Sequence, residues 1–175
     1  MIAKSLFRCA GVLALFSSAQ LSAAPAQQCL TEPDVHGLVA YMLPSVAETV
    51  IKRCAARLPA NSYLNTRGSG LVGQLRKGQS AAWPSARDAM GKMAGKDDGS
   101  SEMFRSMPES VVGPMMEGML ADKIGSDIKA QSCKDIDRVL STIAPLPTTN
   151  LVDMVTAIAM IAGRDGKKFQ TCEAA

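Results

Sequence analysis

Five cysteines, Cys9, Cys29, Cys54, Cys133 and Cys172, carry the most reactive side chains of this chain. Thiol pairs that do redox chemistry usually sit close together at the start of a helix. Here 24, 78 and 38 residues separate successive members of the last four. Such isolation points to structural bridges rather than thiol exchange.

Methionine is the second source of chemistry. Met90 and Met93, Met103 and Met107, and Met115, Met116 and Met119 recur at spacings of three and four. On a helix this stacks thioethers on shared faces, and soft thioethers suit Cu(I). Met115, Met116 and Met119 therefore nominate a small-ligand or Cu(I) carrier as the alternative function. The competing expectation is packing, in the core or in a groove for a partner, because methionine fills irregular gaps where aromatics are scarce. These three lie among Val111, Val112 and Leu120, as core positions do.

The remaining candidates are weaker. His36 is the only histidine, with Glu32 four residues earlier, so the two are expected to pair on a helix surface. No nucleophile stands at a spacing that would make His36 a general base. The chain contains no HExxH, CxxC, GxSxG or acidic calcium loop. Gly68-Ser69-Gly70-Leu71-Val72-Gly73 does match GxGxxG. That motif needs an apolar strand before it and an acid about 20 residues after it. Ala60 to Asn65 form no such strand, and Asp88 is the nearest acid, 15 residues beyond Gly73. Flexible or closely packed glycines are the better expectation. Arg67, Arg76, Lys77, Arg87, Lys92 and Lys96 form a loose basic group, but Asp88, Asp97 and Asp98 interrupt it. A solvated face is expected there. No catalytic residue and no cofactor are nominated.

These side chains must be held by a single domain. The chain has 175 residues, with 47% hydrophobic, 4% aromatic and 20% charged. That length buries a real core and the composition excludes a disordered charged tail. A net charge of +3 without a dominant lysine and arginine block excludes a nucleic-acid partner.

Residues 1–26 read as a secretory signal peptide. Lys4 and Arg8 precede the apolar Gly11 to Phe16, and Ala24-Pro25-Ala26 fits the small-x-small cleavage rule. Cleavage is expected between Ala26 and Gln27, into a bacterial periplasm or the medium. The apolar run falls well short of the ~20 residues of a spanning helix. Residues 27–175 then form the mature domain, of net charge near +1 and with four cysteines. An even count in an oxidising compartment predicts two disulfides.

No stretch alternates as a strand does, whereas helical signals recur, so the expected class is all-α. The expected architecture is an irregular bundle of about five to seven helices. Thr31, Pro33 and Asp34 mark a helix start. Val35, Leu38, Val39, Met42, Val46 and Val50 keep one face through Pro44, predicting a kinked helix to about Arg57. Seven of the 14 glycines fall between Gly68 and Gly99. The segment 65–100 is therefore expected to be mobile, with helices at about 68–79 and 85–94. A broad apolar face follows from Val111 to Ile128. Ser132 with Asp135 opens a further helix bearing Ile136, Val139, Leu140 and Ile143. From Leu151 to Ala162 only Asp153 and Thr156 are polar, which predicts a central core helix.

This layout constrains the bridges. A single helix over 33–57 puts Cys29 and Cys54 on the order of 35 Å apart at 1.5 Å per residue, against a limit of ~7 Å. Each is then expected to pair with Cys133 or Cys172, whereas a hairpin at Pro44 would allow Cys29 to meet Cys54. The function expected from these features is a non-enzymatic binding module whose partner is a protein or another envelope component.

Overall fold

Thr31 starts the longest helix by a local exchange of hydrogen bonds. Its backbone N–H and its hydroxyl donate to the Asp34 carboxylate at 2.8 and 2.6 Å. Pro33 sits in the first turn, where its missing N–H removes no helical bond. Helix α1 then runs Glu32–Cys54, carries Pro44 inside it, and tightens into a 3₁₀ turn at Ala55–Arg57. The structure, a computed structural model, describes residues 29–94, 102, 106–164 and 170–172. The leader at 1–26, Lys96, Asp97, Asp98, Met103, Phe104 and Phe169 lie outside the described residues.

Further α-helices follow among the described residues: α2 Tyr63–Thr66, α3 Gly68–Arg76, α4 Gln79–Met93, α5 Glu109–Asp127, α6 Cys133–Ile143 and α7 Thr148–Arg164. The protein is all-α, with no strand among the described residues beyond one isolated bridge between Leu30 and Thr171. The glycine-containing stretch breaks at Lys77–Gly78, so α3 is shorter than expected and α4 begins six residues earlier than expected. Pro84 lies inside α4 and Pro114 inside α5, both at exposed positions. Each lacks the N–H that would bond the carbonyl four residues earlier, at the exposed residues Ser80 and Ser110. Ser132 precedes α6 without a side-chain cap, because a 3₁₀ turn at Ala130–Ser132 already leads into the helix.

Helix α1 is the axis of the molecule, and α3, α4, α5 and α7 all pack on it. This corrects the expectation that Leu151 to Ala162 form the central helix. Only Leu151, Val152, Thr156 and Gly163 of α7 are buried, while Ile158 and Ile161 are 59% and 65% exposed. An apolar helix is central only if neighbours surround it, and α7 packs chiefly on α1. The main apolar cluster joins Tyr41, Trp83, Ala86, Met90 and Val112. The Tyr41 and Trp83 ring centroids lie 5.1 Å apart.

Both disulfides are long-range: Cys29–Cys172 and Cys54–Cys133. The separation of Cys29 and Cys54 along α1 is what imposes this choice. Beside the first bridge, the Leu30 amide donates to the Gln170 carbonyl at 2.8 Å and the Cys172 amide to the Leu30 carbonyl at 2.9 Å. Cys54 and Cys133 are buried with Leu64, against Leu58, Ile136 and Leu140.

Asp34 ties α1 to α4 through Lys92. Burial pushes its carboxyl up, but the Lys92 ammonium and Thr31 outweigh this and hold it below its usual value of 3.8. A depressed folded-state value means stabilisation that is complete above the unfolded value and lost as the pH falls through and below 3.8. Urea unfolding followed from pH 7 to pH 2.5 should show this acid loss, and Asp34→Asn should flatten it. At pH 7, Asp34→Ala is expected to destabilise by about 1–2 kcal/mol, through the lost cap and ion pair.

Candidate functional site: an apolar groove along the central helix

The face of α1 that carries Val35, Leu38, Val39, Met42, Leu43 and Val46 is not closed over by its neighbours. These positions recur every three or four residues, so they form one stripe. Helices α4 and α5 supply one wall through Met90, Met93, Met116 and Leu120. Helix α7 supplies the other through Val155 and Ala159, and Leu30 completes the lining. The result is a groove of about 410 Å³ lined by thirteen side chains, all of them apolar. It stays open because α5 and α7 pack on α1 rather than closing on one another.

Further apolar side chains are exposed outside the groove lining. On α5, Val111, Met115 and Met119 are 53%, 45% and 63% exposed, spaced four apart on one side of the helix. On α7, Ile158 and Ile161 are exposed as well. Of the two expected placements, core or partner groove, exposure removes the core for Met115 and Met119. Only Met116 of that trio lines the groove, and it also packs against the Tyr41–Trp83 cluster. A helix so rich in apolar residues shows no single buried face in its periodicity, which is why sequence pattern left their placement open.

The groove gathers a different set of thioethers: Met42 from α1, Met90 and Met93 from α4, and Met116 from α5. The spacing of Met90 and Met93 signalled one part of this set. Met42 was missed because it stands alone in sequence, within an otherwise ordinary aliphatic stripe.

The remaining candidates separate. The His36 Nε2 lies 3.2 Å from the Asp153 Oδ1 of α7, so its acidic partner is Asp153 and not Glu32. Both side chains are largely exposed, and among the described residues no hydroxyl hydrogen-bonds to the imidazole. The glycine motif lies inside α3, where the Cβ position of Gly68 is occupied by the Ile51 side chain, 2.9 Å away. Gly70 and Gly73 face open space. The strand that a dinucleotide turn requires is absent among the described residues. The basic residues are dispersed, since Arg76 pairs with Glu48 and Lys92 with Asp34. Among the described residues no three His, Cys, Asp or Glu side chains are grouped to hold a metal ion. Cys29, Cys54, Cys133 and Cys172 are all consumed in bridges.

No protein-family model, no curated protein and no solved structure matches this chain.

The chemistry of the groove follows from its own lining. It offers no charge, no nucleophile and no hydrogen-bond donor, so its means of binding is the removal of apolar surface from water. Each 100 Å² so buried is worth about 2.5 kcal/mol before association costs. Methionine is flexible and polarisable, which lets such a lining adapt to irregular apolar shapes. No helix among the described residues is long and apolar enough to cross a membrane.

Proposed function

We propose that this protein is an exported, non-enzymatic binding module of the bacterial envelope whose groove receives the apolar face of a partner's helix. The observation that carries this reading is an open groove lined by thirteen apolar side chains, Met42, Met90, Met93 and Met116 among them. Its lining draws on four helices, and an elongated apolar stripe of this kind suits the apolar face of a partner helix. Two disulfides and the leader-like residues 1–26 support an oxidising compartment outside the cytoplasm. Mass spectrometry of protein recovered from the producing cell is expected to find Gln27 at its N-terminus.

The binding test uses N-phenyl-1-naphthylamine, whose fluorescence rises when it leaves water. The protein should take up the dye, and an 18-residue amphipathic Leu/Lys peptide should displace it at micromolar concentration. Leu120→Asp should weaken both by at least tenfold, because it places a charge in an uncharged lining. A second reading, a carrier of an apolar small molecule or of Cu(I), is favoured by the four thioethers around one cavity. Displacement by palmitate or by Cu(I), with none by the peptide, would select that reading. Absence of dye uptake would overturn both.

A further inference from the structure

A cavity of about 1010 Å³ shares no residue with the apolar groove, and its lining mixes polar with apolar side chains. It lies between α2 and α3 on one side and the α6–α7 connection on the other. Its lining carries one cation, Arg67, and no carboxylate. No carboxylate among the described residues pairs with Arg67, although Arg76, Lys92, Lys52 and Lys123 each have one. The rest of its polar lining, Ser69, Gln74, Thr148 and Thr149 among others, consists of neutral hydroxyls and amides that both donate and accept.

Three further features suit a ligand. Tyr63 stands on the same wall as Arg67; burial pushes its phenol up and the Arg67 charge pulls it partly back. Over Gly70 a Cβ would meet nothing within 4 Å, so space there is free. A second cavity of about 330 Å³ shares Gln74, Thr148 and Thr149 with the first and reaches His36, so the cleft is elongated.

We propose that this cleft binds an acidic saccharide, with the oxyanion on Arg67 and the sugar hydroxyls on Gln74, Thr148 and Thr149. One guanidinium matches one carboxylate or phosphate, and the cavity is several times larger than a bare anion requires. The donor and acceptor lining matches a ligand rich in hydroxyls, and the Tyr63 ring offers a face to a pyranose. The shared chemistry is a single oxyanion on a polyhydroxylated ring, whether it comes from a uronic acid or a sugar phosphate.

The test is a titration of the intact disulfide-bonded protein, followed by amide NMR shifts. Glucuronate, glucose 6-phosphate, glucose and inorganic phosphate are the probes. At least one anionic sugar should move the amides of Ser69, Gly70, Thr148 and Thr149, and bind tenfold or more tightly than glucose. Preference for glucuronate identifies a uronic acid source, and preference for glucose 6-phosphate a phosphorylated one. Arg67→Gln should reduce affinity at least tenfold without lowering the melting temperature. Gly70→Phe should abolish binding by filling the cleft, in a helix that gains propensity from losing glycine. Inorganic phosphate binding as tightly as the sugars would overturn the saccharide assignment. Shifts elsewhere, no binding by any probe, or an unaffected Arg67→Gln variant would overturn the site itself.

Discussion

Replacing Cys54 and Cys133 together by alanine is expected to lower the unfolding free energy by about 3–5 kcal/mol. The bridge spans a sequence separation of 79 residues. For a loop of that length the chain-entropy account gives roughly 4.5 kcal/mol at 25 °C. Packing argues in the same direction. The two cysteines are 0% and 1% exposed and sit inside the cluster of Leu64, Leu58, Ile136 and Leu140. Helix α6 packs chiefly on the four-residue α2, where the Leu64 amide also donates to the Asp137 carboxylate at 2.8 Å. The bridge is the covalent tie that holds this pair of helices to α1. Against a typical total of about 5–15 kcal/mol, its loss is severe. Urea unfolding of the double variant checks this, and a change under about 1 kcal/mol would contradict it. The Cys29→Ala and Cys172→Ala pair should differ in kind. It frees Leu30, which lines the groove, so it should weaken uptake of the apolar dye while the Cys54 and Cys133 pair leaves uptake nearly intact.

Gly37→Ala is expected to destabilise the protein by about 2 kcal/mol, against the direction of helix propensity. In an isolated helix the exchange would gain up to about 1 kcal/mol. At Gly37, however, α1 crosses α4 closely. An added Cβ would lie 2.3 Å from the Ser85 Cβ and 3.1 Å from the Ala86 nitrogen. Those atoms belong to the backbone or are fixed to it, so no side-chain rotation relieves the contact and the helices must part. Overpacking of this kind typically costs about 1–3 kcal/mol. Parting α4 from α1 also displaces Met90 and Met93, so dye binding should weaken too. Gly73→Ala in α3 is the control, because a Cβ there meets nothing within 4 Å. It should stabilise by about 0.5–1 kcal/mol. Thermal melts of the two variants should therefore move in opposite directions, and parallel shifts would show that the α1–α4 crossing does not decide the outcome.

Much of the architecture was legible because it is local. Thr31 and Asp34 cap the helix they announce, and Pro44 interrupts neither the stripe nor the helix. The expected span of α1 favoured long-range bridges over Cys29–Cys54, and the continuous helix through Pro44 removed the hairpin alternative. The candidate sites were legible only in fragments. Met90 and Met93 were marked by their spacing, while Met42 carried no signal. His36 was assigned to Glu32, one turn away on its own helix, yet its partner Asp153 comes from α7. Arg67 was one of six basic residues, and nothing local distinguishes it from Arg76, which is paired with Glu48.

The sequence by itself therefore determined the helical class and the start and reach of α1, and it favoured long-range disulfides. Each of these follows from backbone hydrogen bonding, helical rise and bond length, which act within one element. Tertiary structure alone decided that α1 and not α7 is central. It also decided that Met115 and Met119 face outward, and that Arg67 meets Thr148 and Thr149 across one cleft. Periodicity reports how wide an apolar face is, but burial depends on which neighbours arrive to cover it. In a bundle whose helices are apolar on several sides, that choice belongs to the packing.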